Sequence, residues 1–426
     1  MATLDVPRDV IAERLDRIDV YLKTKLLPFW IENSVDEEYG GFLTYFDHDG
    51  KPTGETTKTL LCQERMIFTM ASAHRAGLGD GLCLEIAQRG FEFMVEVYWD
   101  KEHGGWFWVA DREGNITDDS KIMYGQNFGI YAPSELAMAG GGDVARDYAL
   151  RSFEAIQCGA TDTLHGGYYE MLHRDWSPKP PGPWGGDRKS LDIHMHMMEA
   201  LTNLYELTGS PLHERKLREV IAILLDRMLD PETGCGIAQF ALDFTPLGAI
   251  MFRNVWGSDR DFGGAPRPLD NTSFGHNVEL AWLLKHTADV LNDPLDLYLA
   301  PIRRLYDHCV AYGIDPEHGG VYVEGPMDGP ARDTQKEFWQ QAEVLVGMLD
   351  ACLLFGDRKY WDAFASTMDF VWSHMINHDV GEWYALCDRD GTVLWDYLGH
   401  AWKISYHTVR SMIQCCKRLR LLLEQE

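Results

Sequence analysis

One motif recurs six times along the chain: an acidic or asparagine-bearing turn, a glycine, alternating aromatics, then a second Asp/Gly turn. The copies are 36–50 (DEEYGGFLTYFDHDG), 100–114 (DKEHGGWFWVADREG), 162–175 (DTLHGGYYEMLHRD), 230–243 (DPETGCGIAQFALD), 315–329 (DPEHGGVYVEGPMDG) and 377–391 (NHDVGEWYALCDRDG). With Gly41, Gly105, Gly167, Gly320 and Gly381 as markers, neighbouring spacings are 64, 62 and 61, and the fourth copy falls inside a 153-residue gap. Such a period is too long for the common solenoids and suits a helix pair plus a short hairpin.

The stretches between the turns, such as 83–99, 188–209, 213–229 and 335–356, carry apolar residues at three- and four-residue spacing and often end at glycine, as amphipathic helices do. The helix after each turn is rich in small, apolar and aromatic residues and belongs inside. The helix before the next turn carries more Arg, Lys and Glu, as in 213–220, and belongs outside. Six such units bury their apolar faces only by stacking side by side, and closing the ring removes two exposed ends. The expectation is an all-α fold, an (α/α)6 toroid with short β-hairpins at the helix connections, forming a single catalytic domain over 1–426. An open helical array is the alternative.

Composition narrows the function. Lys and Arg number 39 against 66 Asp and Glu, a net charge of −27 that repels phosphate backbones and anionic lipid headgroups. No basic cluster reverses that field, which argues against nucleic-acid and membrane partners. Asp5, Arg8, Asp9, Glu13, Arg14, Asp16 and Arg17 interrupt any apolar signal core near the start, and no uncharged apolar run approaches the ~18 residues of a membrane helix. Nine cysteines without CxxC spacing read as reduced thiols. The expectation is a cytoplasmic protein, monomer or homodimer, whose partner is a small molecule.

The polar residues near the start of each inner helix are unusual for a core, and a toroid aims them into its mouth. Repeat one supplies Arg65; repeat two Tyr124, Gln126 and Asn127; repeat three Asp192, His194, His196 and Glu199. Repeat four supplies His276 and Glu279, repeat five Trp339 and Glu343, and repeat six Trp402, Lys403, Tyr406 and His407. His276 and Glu279 are three apart and Trp339 and Glu343 four apart, so each pair shares a helix face. His194 and His196 are two apart and point to different sides; with Glu199 one turn beyond it, His196 is the one expected to line the cavity. That HxH spacing is poor chelate geometry on a helix, and no HExxH or clustered-cysteine pattern exists, so no metal or other cofactor is expected. The 140–143 segment (GGGD) lacks the Lys-Ser/Thr of a phosphate loop and reads as a helix connection.

These residues resemble the N-acylglucosamine 2-epimerase superfamily, especially its cellobiose and mannose 2-epimerase branch, over nearly the whole chain. The matching segments are 63–68 (QERMIF), 124–135 (YGQNFGIYAPSE), 189–205 (KSLDIHMHMMEALTNLY), 275–284 (GHNVELAWLL), 338–347 (FWQQAEVLVG) and 402–410 (WKISYHTVR). The resemblance implies an (α/α)6 barrel that inverts the carbon beside the carbonyl of an open-chain sugar without a metal or nucleotide. It implies that His276 and His407 are general acid and base, that Arg65 meets the carbonyl oxygen, and that His196, Glu279 and Glu343 position groups and open the ring. It places Tyr124 and Trp339 against the reacting sugar and Trp402 where a second sugar stacks. Asp192 stands where the branch usually has Asn, Phe68 where it has Trp, and Thr408 where cellobiose epimerases have Asn. These departures favour a monosaccharide such as mannose or glucose over a disaccharide such as cellobiose.

The chemistry of the residues agrees with that implication. Removing a proton next to an aldehyde leaves a cis-enediolate, which needs a base near neutrality, a cation at the oxyanion and an acid to return the proton. Two imidazoles on opposite faces give epimerisation; return of the proton to the neighbouring carbon gives aldose-ketose isomerisation. Glycoside hydrolysis by a Glu279/Glu343 pair and a sugar-binding toroid without chemistry are the remaining readings.

Overall fold

The computed structural model describes residues 4–249 and 268–425. From the N-terminus, α1 (Arg8–Tyr21) runs through a π-helical turn into α2 (Leu27–Asn33). Inner and outer helices then alternate: α3 (Leu60–Arg75), α4 (Leu82–Tyr98), α5 (Met123–Leu136), α6 (Asp143–Gly159), α7 (Leu191–Thr208) and α8 (Pro211–Arg227). They continue through α9 (Phe274–Leu291), α10 (Leu299–His308), α11 (Phe338–Phe355), α12 (Arg358–Phe370) and α13 (Ser405–Glu424). Inner helices such as the largely apolar α5 and α11 are buried nearly all round, while outer helices such as α6 and α8 bury one stripe.

Each inner helix packs on the next, and α13 returns to α3. Each outer helix packs on the inner helix preceding it, while α1 packs on α13, so the first helix of the chain completes the last unit. A bridge between Phe46 and Gly399 seals the same seam at the level of the hairpins. The result is a closed (α/α)6 barrel rather than an open array. Glycine allows the closest approach: a Cβ on Gly347 of α11 would lie 2.2 Å from Val278 of α9.

The short strands tie neighbouring units together. The strand before each inner helix from α3 to α11 pairs with the hairpin of the next unit, as Lys58–Thr59 does with Val109–Ala110, Arg188–Ser190 with Gln239–Ala241 and Lys336–Glu337 with Leu386–Cys387. This corrects two helix starts. Residues 188–190 and 336–337 are strand, and α7 and α11 begin at Leu191 and Phe338, because those backbone groups bond sideways before the helix can claim them.

The acidic turns are built around buried charge. Asp36 caps its own turn by accepting from the Glu38 and Tyr39 amides, binds Lys58 at 2.9 Å, and accepts two bonds from Arg112 of the next unit. Asp100 is held likewise by Lys121 and Arg174, and Asp315 by Lys336 and Arg389. Lys189 with Asp162, and Lys403 with Glu382, repeat the first half of the arrangement. In repeat four Thr272 stands in the lysine position and bonds the Gly236 carbonyl instead.

Several smaller expectations are settled by the packing. All nine cysteines are unpaired. The 140–143 segment connects α5 to α6 through left-handed Gly140 and Gly142. Helix α11 is long and apolar enough by composition to cross a membrane, yet most of it is buried in the ring and it carries Glu343 and Asp350.

Glu64 on α3 is fully buried with neither carboxylate oxygen bonded among the described residues, and burial pushes its pKa well above the usual range. A carboxyl whose folded pKa is raised stabilises the fold below its ordinary pKa and loses that contribution as pH rises towards the folded value. Glu64→Gln keeps the shape and cannot ionise. Its stability should therefore exceed the wild type's by a margin that widens with rising pH, by up to about 1.4 kcal/mol per unit, in urea melts from pH 6 to 9.

Candidate active site

The register of the six units explains which side chains reach the axis. Near the start of five inner helices one side chain clamps the backbone of its own turn; in the sixth, Thr408 bonds the Glu382 carboxylate instead. Gln63 bonds both the amide and the carbonyl of Phe42, Gln126 those of Trp106 and Gln341 those of Val321. His194 and Asn277 accept from the Tyr168 and Gly236 amides at the same register. Two residues further on is about 200° around the helix, so the side chains there point to the axis. In chain order they are Arg65, Phe128, His196, Glu279, Glu343 and Arg410.

On one side of the axis stands His407, 4% exposed. Its Nδ1 lies 2.6 Å from Glu343 Oε1, while Glu343 Oε2 accepts from the Trp282 indole at 2.9 Å. Burial alone would raise Glu343, but Arg410 and His407 outweigh it and hold the carboxyl at about 2. An ionised Glu343 makes Nδ1 the protonated nitrogen and leaves Nε2 as a lone pair. Burial pushes His407 down to about 3 and His276 to about 4, so both rings are neutral at pH 7. Glu279 is the opposite case: burial and the nearby Glu343 charge raise it well above the ordinary range, and it stands as a neutral acid with Oε2 unbonded among the described residues.

On the other side Arg65 donates to the Trp402 carbonyl at 2.6 Å and to the Tyr124 hydroxyl at 3.3 Å. Tyr124 donates in turn to His196 Nε2 at 2.7 Å, and His196 Nδ1 donates to Glu199 Oε2 at 2.9 Å. Glu199, which burial alone would raise, is held at about 2 by Arg410, His196 and Tyr406.

These groups surround a cavity of about 280 Å³, near the lower bound of small-molecule sites. Arg65, Tyr124, Asp192, His276, Glu279, Trp339, Trp402 and His407 all line it. The Trp339 ring lies near both imidazoles, 4.6 Å from His276 and 5.9 Å from His407. Trp402 packs against Tyr124, and Trp395 stacks flat on His400 beside it, so the wall there is largely aromatic. Asp192 lies close enough to His276 for its charge to favour the imidazolium.

Other residues fall elsewhere than the sequence places them. His196 and Glu343 do not line the cavity; they sit one layer deeper, behind Tyr124 and His407, because the axis at their level is filled by Arg410 and its carboxylates. Gln126 clamps its turn, and Asn127 bonds the Ile193 carbonyl between helices. Lys403 is fully buried between Glu382 and the Leu398 carbonyl, far from free to meet a ligand. His194 bonds the Ser190 carbonyl and the Tyr168 amide, a packing role.

Arg410 is the residue sequence reading passed over. It donates to Glu199, Glu279, Glu343 and Tyr406 together. The available signal was register: Arg410 follows His407 by three residues, as Glu279 follows His276. Ligand atoms of Glu279, Glu343 and His407 also converge within 4.8 Å, a spacing that suits a metal. The guanidinium already bonds both carboxylates, so a cation there would have to displace it.

A family model described as N-acylglucosamine 2-epimerase (GlcNAc 2-epimerase) matches residues 40–411. The chain is 29% identical over 399 residues to a cellobiose 2-epimerase of Bacteroides fragilis, covering 92% of this chain and 96% of the relative. It is 26% identical over 405 residues to a D-mannose isomerase of Marinomonas mediterranea, covering 93% and 96%. The solved structure of cellobiose 2-epimerase from Spirochaeta thermophila superposes with a TM-score of 0.85 at 27% identity, over 98% of this chain and 99% of that one.

Proposed function

Because the chain belongs to the N-acylglucosamine 2-epimerase family and is thus a carbohydrate isomerase, we propose that it inverts carbon 2 of an open-chain aldose through a cis-enediolate. The observation that carries this reading is the pairing of His407 with an ionised Glu343, which leaves a neutral Nε2 at the cavity wall. Ring opening needs an acid at the ring oxygen and a base at the anomeric hydroxyl; the neutral Glu279 serves as the first and His276 as the second. His407 Nε2 then takes the proton from carbon 2. Arg65, with Tyr124 beside it, stabilises the oxyanion that forms at carbon 1. His276, now carrying the proton it gained on ring opening, returns it to carbon 2 from the other face. On ring closure the hydroxyl that attacks carbon 1 returns its proton to Glu279, and the His407 imidazolium gives the proton it took from carbon 2 to the anomeric oxygen, so all three side chains end as they began.

The substrate class is an aldose with a free reducing end, mannose or glucose first. The compact cavity suits one sugar ring, and Trp339 and Trp402 offer apolar faces to its C–H groups. Return of the proton to carbon 1 instead would yield a ketose, an isomerisation rather than an epimerisation; the Marinomonas relative is named an isomerase. Incubation with mannose, glucose and cellobiose in deuterated water separates the readings. The expected result is deuterium at carbon 2 together with the 2-epimer. Label at carbon 1 with a ketose shifts the assignment to isomerisation, and glycoside cleavage without exchange, or no exchange with any of the three, overturns it.

A further inference from the structure

Arg410 lies on the barrel axis, 3% exposed, behind the cavity wall rather than on it. One terminal nitrogen donates to Glu199 and to the Tyr406 hydroxyl; the other donates to Glu279 at 3.1 Å and Glu343 at 2.7 Å. Its carbon rests 4.1 Å from the Tyr406 ring centre and 5.0 Å from that of Trp282, which fixes the plane of the fork. Two hydrogen-bonded relays leave this one group. The first runs from Glu343 to His407; the second runs from Glu199 through His196 and Tyr124 to Arg65. Both end at side chains that line the cavity.

We propose that Arg410 is the positioning residue of the site, setting the tautomers of His407 and His196 by keeping Glu343 and Glu199 ionised. This rests on the proton-transfer role given to His407 above. In a buried setting a carboxylate without a partner cation takes up a proton. A neutral Glu343 would donate to Nδ1 of His407, and the ring proton would move to Nε2. The nitrogen facing the sugar would then be a donor, and carbon 2 would meet no base. A neutral Glu199 would reverse the second relay in the same way, turning His196 Nε2 into a donor towards Tyr124. The groups that face His407 are Glu343 from α11, Glu279 from α9, Arg65 from α3, and Tyr406 and Arg410 from its own helix. Of the two cations among them, Arg410 is the one that bonds a carboxylate.

The test uses full-length Arg410→Gln and Arg410→Lys, with folding checked by circular dichroism and melting. A wrong tautomer in a hydrogen-bonded acid/base relay lowers kcat by several orders of magnitude. The expectation is therefore a kcat loss of roughly 10²–10⁴-fold for the glutamine variant, with a smaller loss for lysine, which keeps charge but cannot fork. KM should change little, since Arg410 does not touch the cavity. Nitrogen-15 histidine spectra of the sugar-free protein, assigned with a His407→Gln control, should show the His407 proton on Nδ1 in wild type and on Nε2 in Arg410→Gln. That readout needs no substrate, so absence of aldose exchange in the wild-type enzyme would defeat the functional reading while leaving this inference decidable. A folded Arg410→Gln with wild-type kcat, or with the His407 proton still on Nδ1, overturns it. Should the glutamine variant not fold, Arg410→Met, which also removes the charge, carries both measurements.

Discussion

Replacing His407 by alanine is expected to abolish net epimerisation, lowering turnover by about 10²–10⁴-fold, the range a positioned acid/base group contributes. The fold should survive, because removing the imidazole orphans nothing: Glu343 keeps its bonds to Arg410 and Trp282. His276→Ala should be as severe for inversion and as mild for stability, since the His276 ring makes no hydrogen bond among the described residues and leaves no partner behind. The two variants should differ in exchange. By microscopic reversibility each imidazole removes the carbon-2 proton from one epimer only. Each variant should thus retain slow deuterium uptake with one of the two epimers, and a different one in each. Equal exchange with both epimers in either variant would show that the two rings do not divide the faces. Because burial holds both rings below an ordinary imidazole, at about 3 and about 4, the wild-type base stays neutral as pH falls. The acid limb of the rate profile should therefore lie below pH 6, measured within the range where the protein stays folded.

Asp315→Ala is expected to cost about 3–5 kcal/mol of folding stability, the usual penalty for breaking a buried ion pair from one side. Lys336 and Asp315 are both fully buried, and the loss would leave the ammonium with only the Gly319 and Arg389 carbonyls. Arg389 of the next unit would lose its two bonds to Asp315 as well, keeping those to Tyr322 and Glu317. Urea melts should show the loss, and Lys336→Met added to it should recover part, because the uncompensated charge is then gone. The same turns set the acid limit of the fold. Burial would raise Asp36 and Asp162, but their cationic partners outweigh it and hold both at about 2. A carboxyl with a lowered folded pKa stabilises the fold above its unfolded value and loses that contribution as pH falls through the folded one. Stability should accordingly decline between about pH 4 and 2.

Those ion clusters show why the repeat was legible. The Asp that opens most of the turns, the Lys that precedes the inner helix and the Arg in the following hairpin are one device copied along the chain. Its physical demand, a buried charge that must be paired, keeps the residue types recognisable in every copy that uses it. Helix starts were less legible. Nothing in the period of residues 188–190 distinguishes a strand from a first helical turn, because the deciding bonds come from a hairpin fifty residues away.

The candidate site divides along the same line. Arg65, His276, Glu279, Trp339 and His407 were readable because they are polar or aromatic within the first two turns of helices that are otherwise core. The depth of His196 and Glu343, and the part played by Arg410, were not. A helix face fixes direction but not how far along the axis other units reach, and Arg410 acquires its partners from α7, α9 and α11 only when the ring closes.

By itself, then, the amino-acid order determined the unit, the number of units and the side of each helix that turns inward, since period and patterning are local properties of the chain. Which carboxylates are charged, which imidazole nitrogen holds the proton and which groups touch a ligand were decided by the tertiary structure. Those properties depend on burial and on charges from distant units, and neither exists until the six pairs enclose their axis.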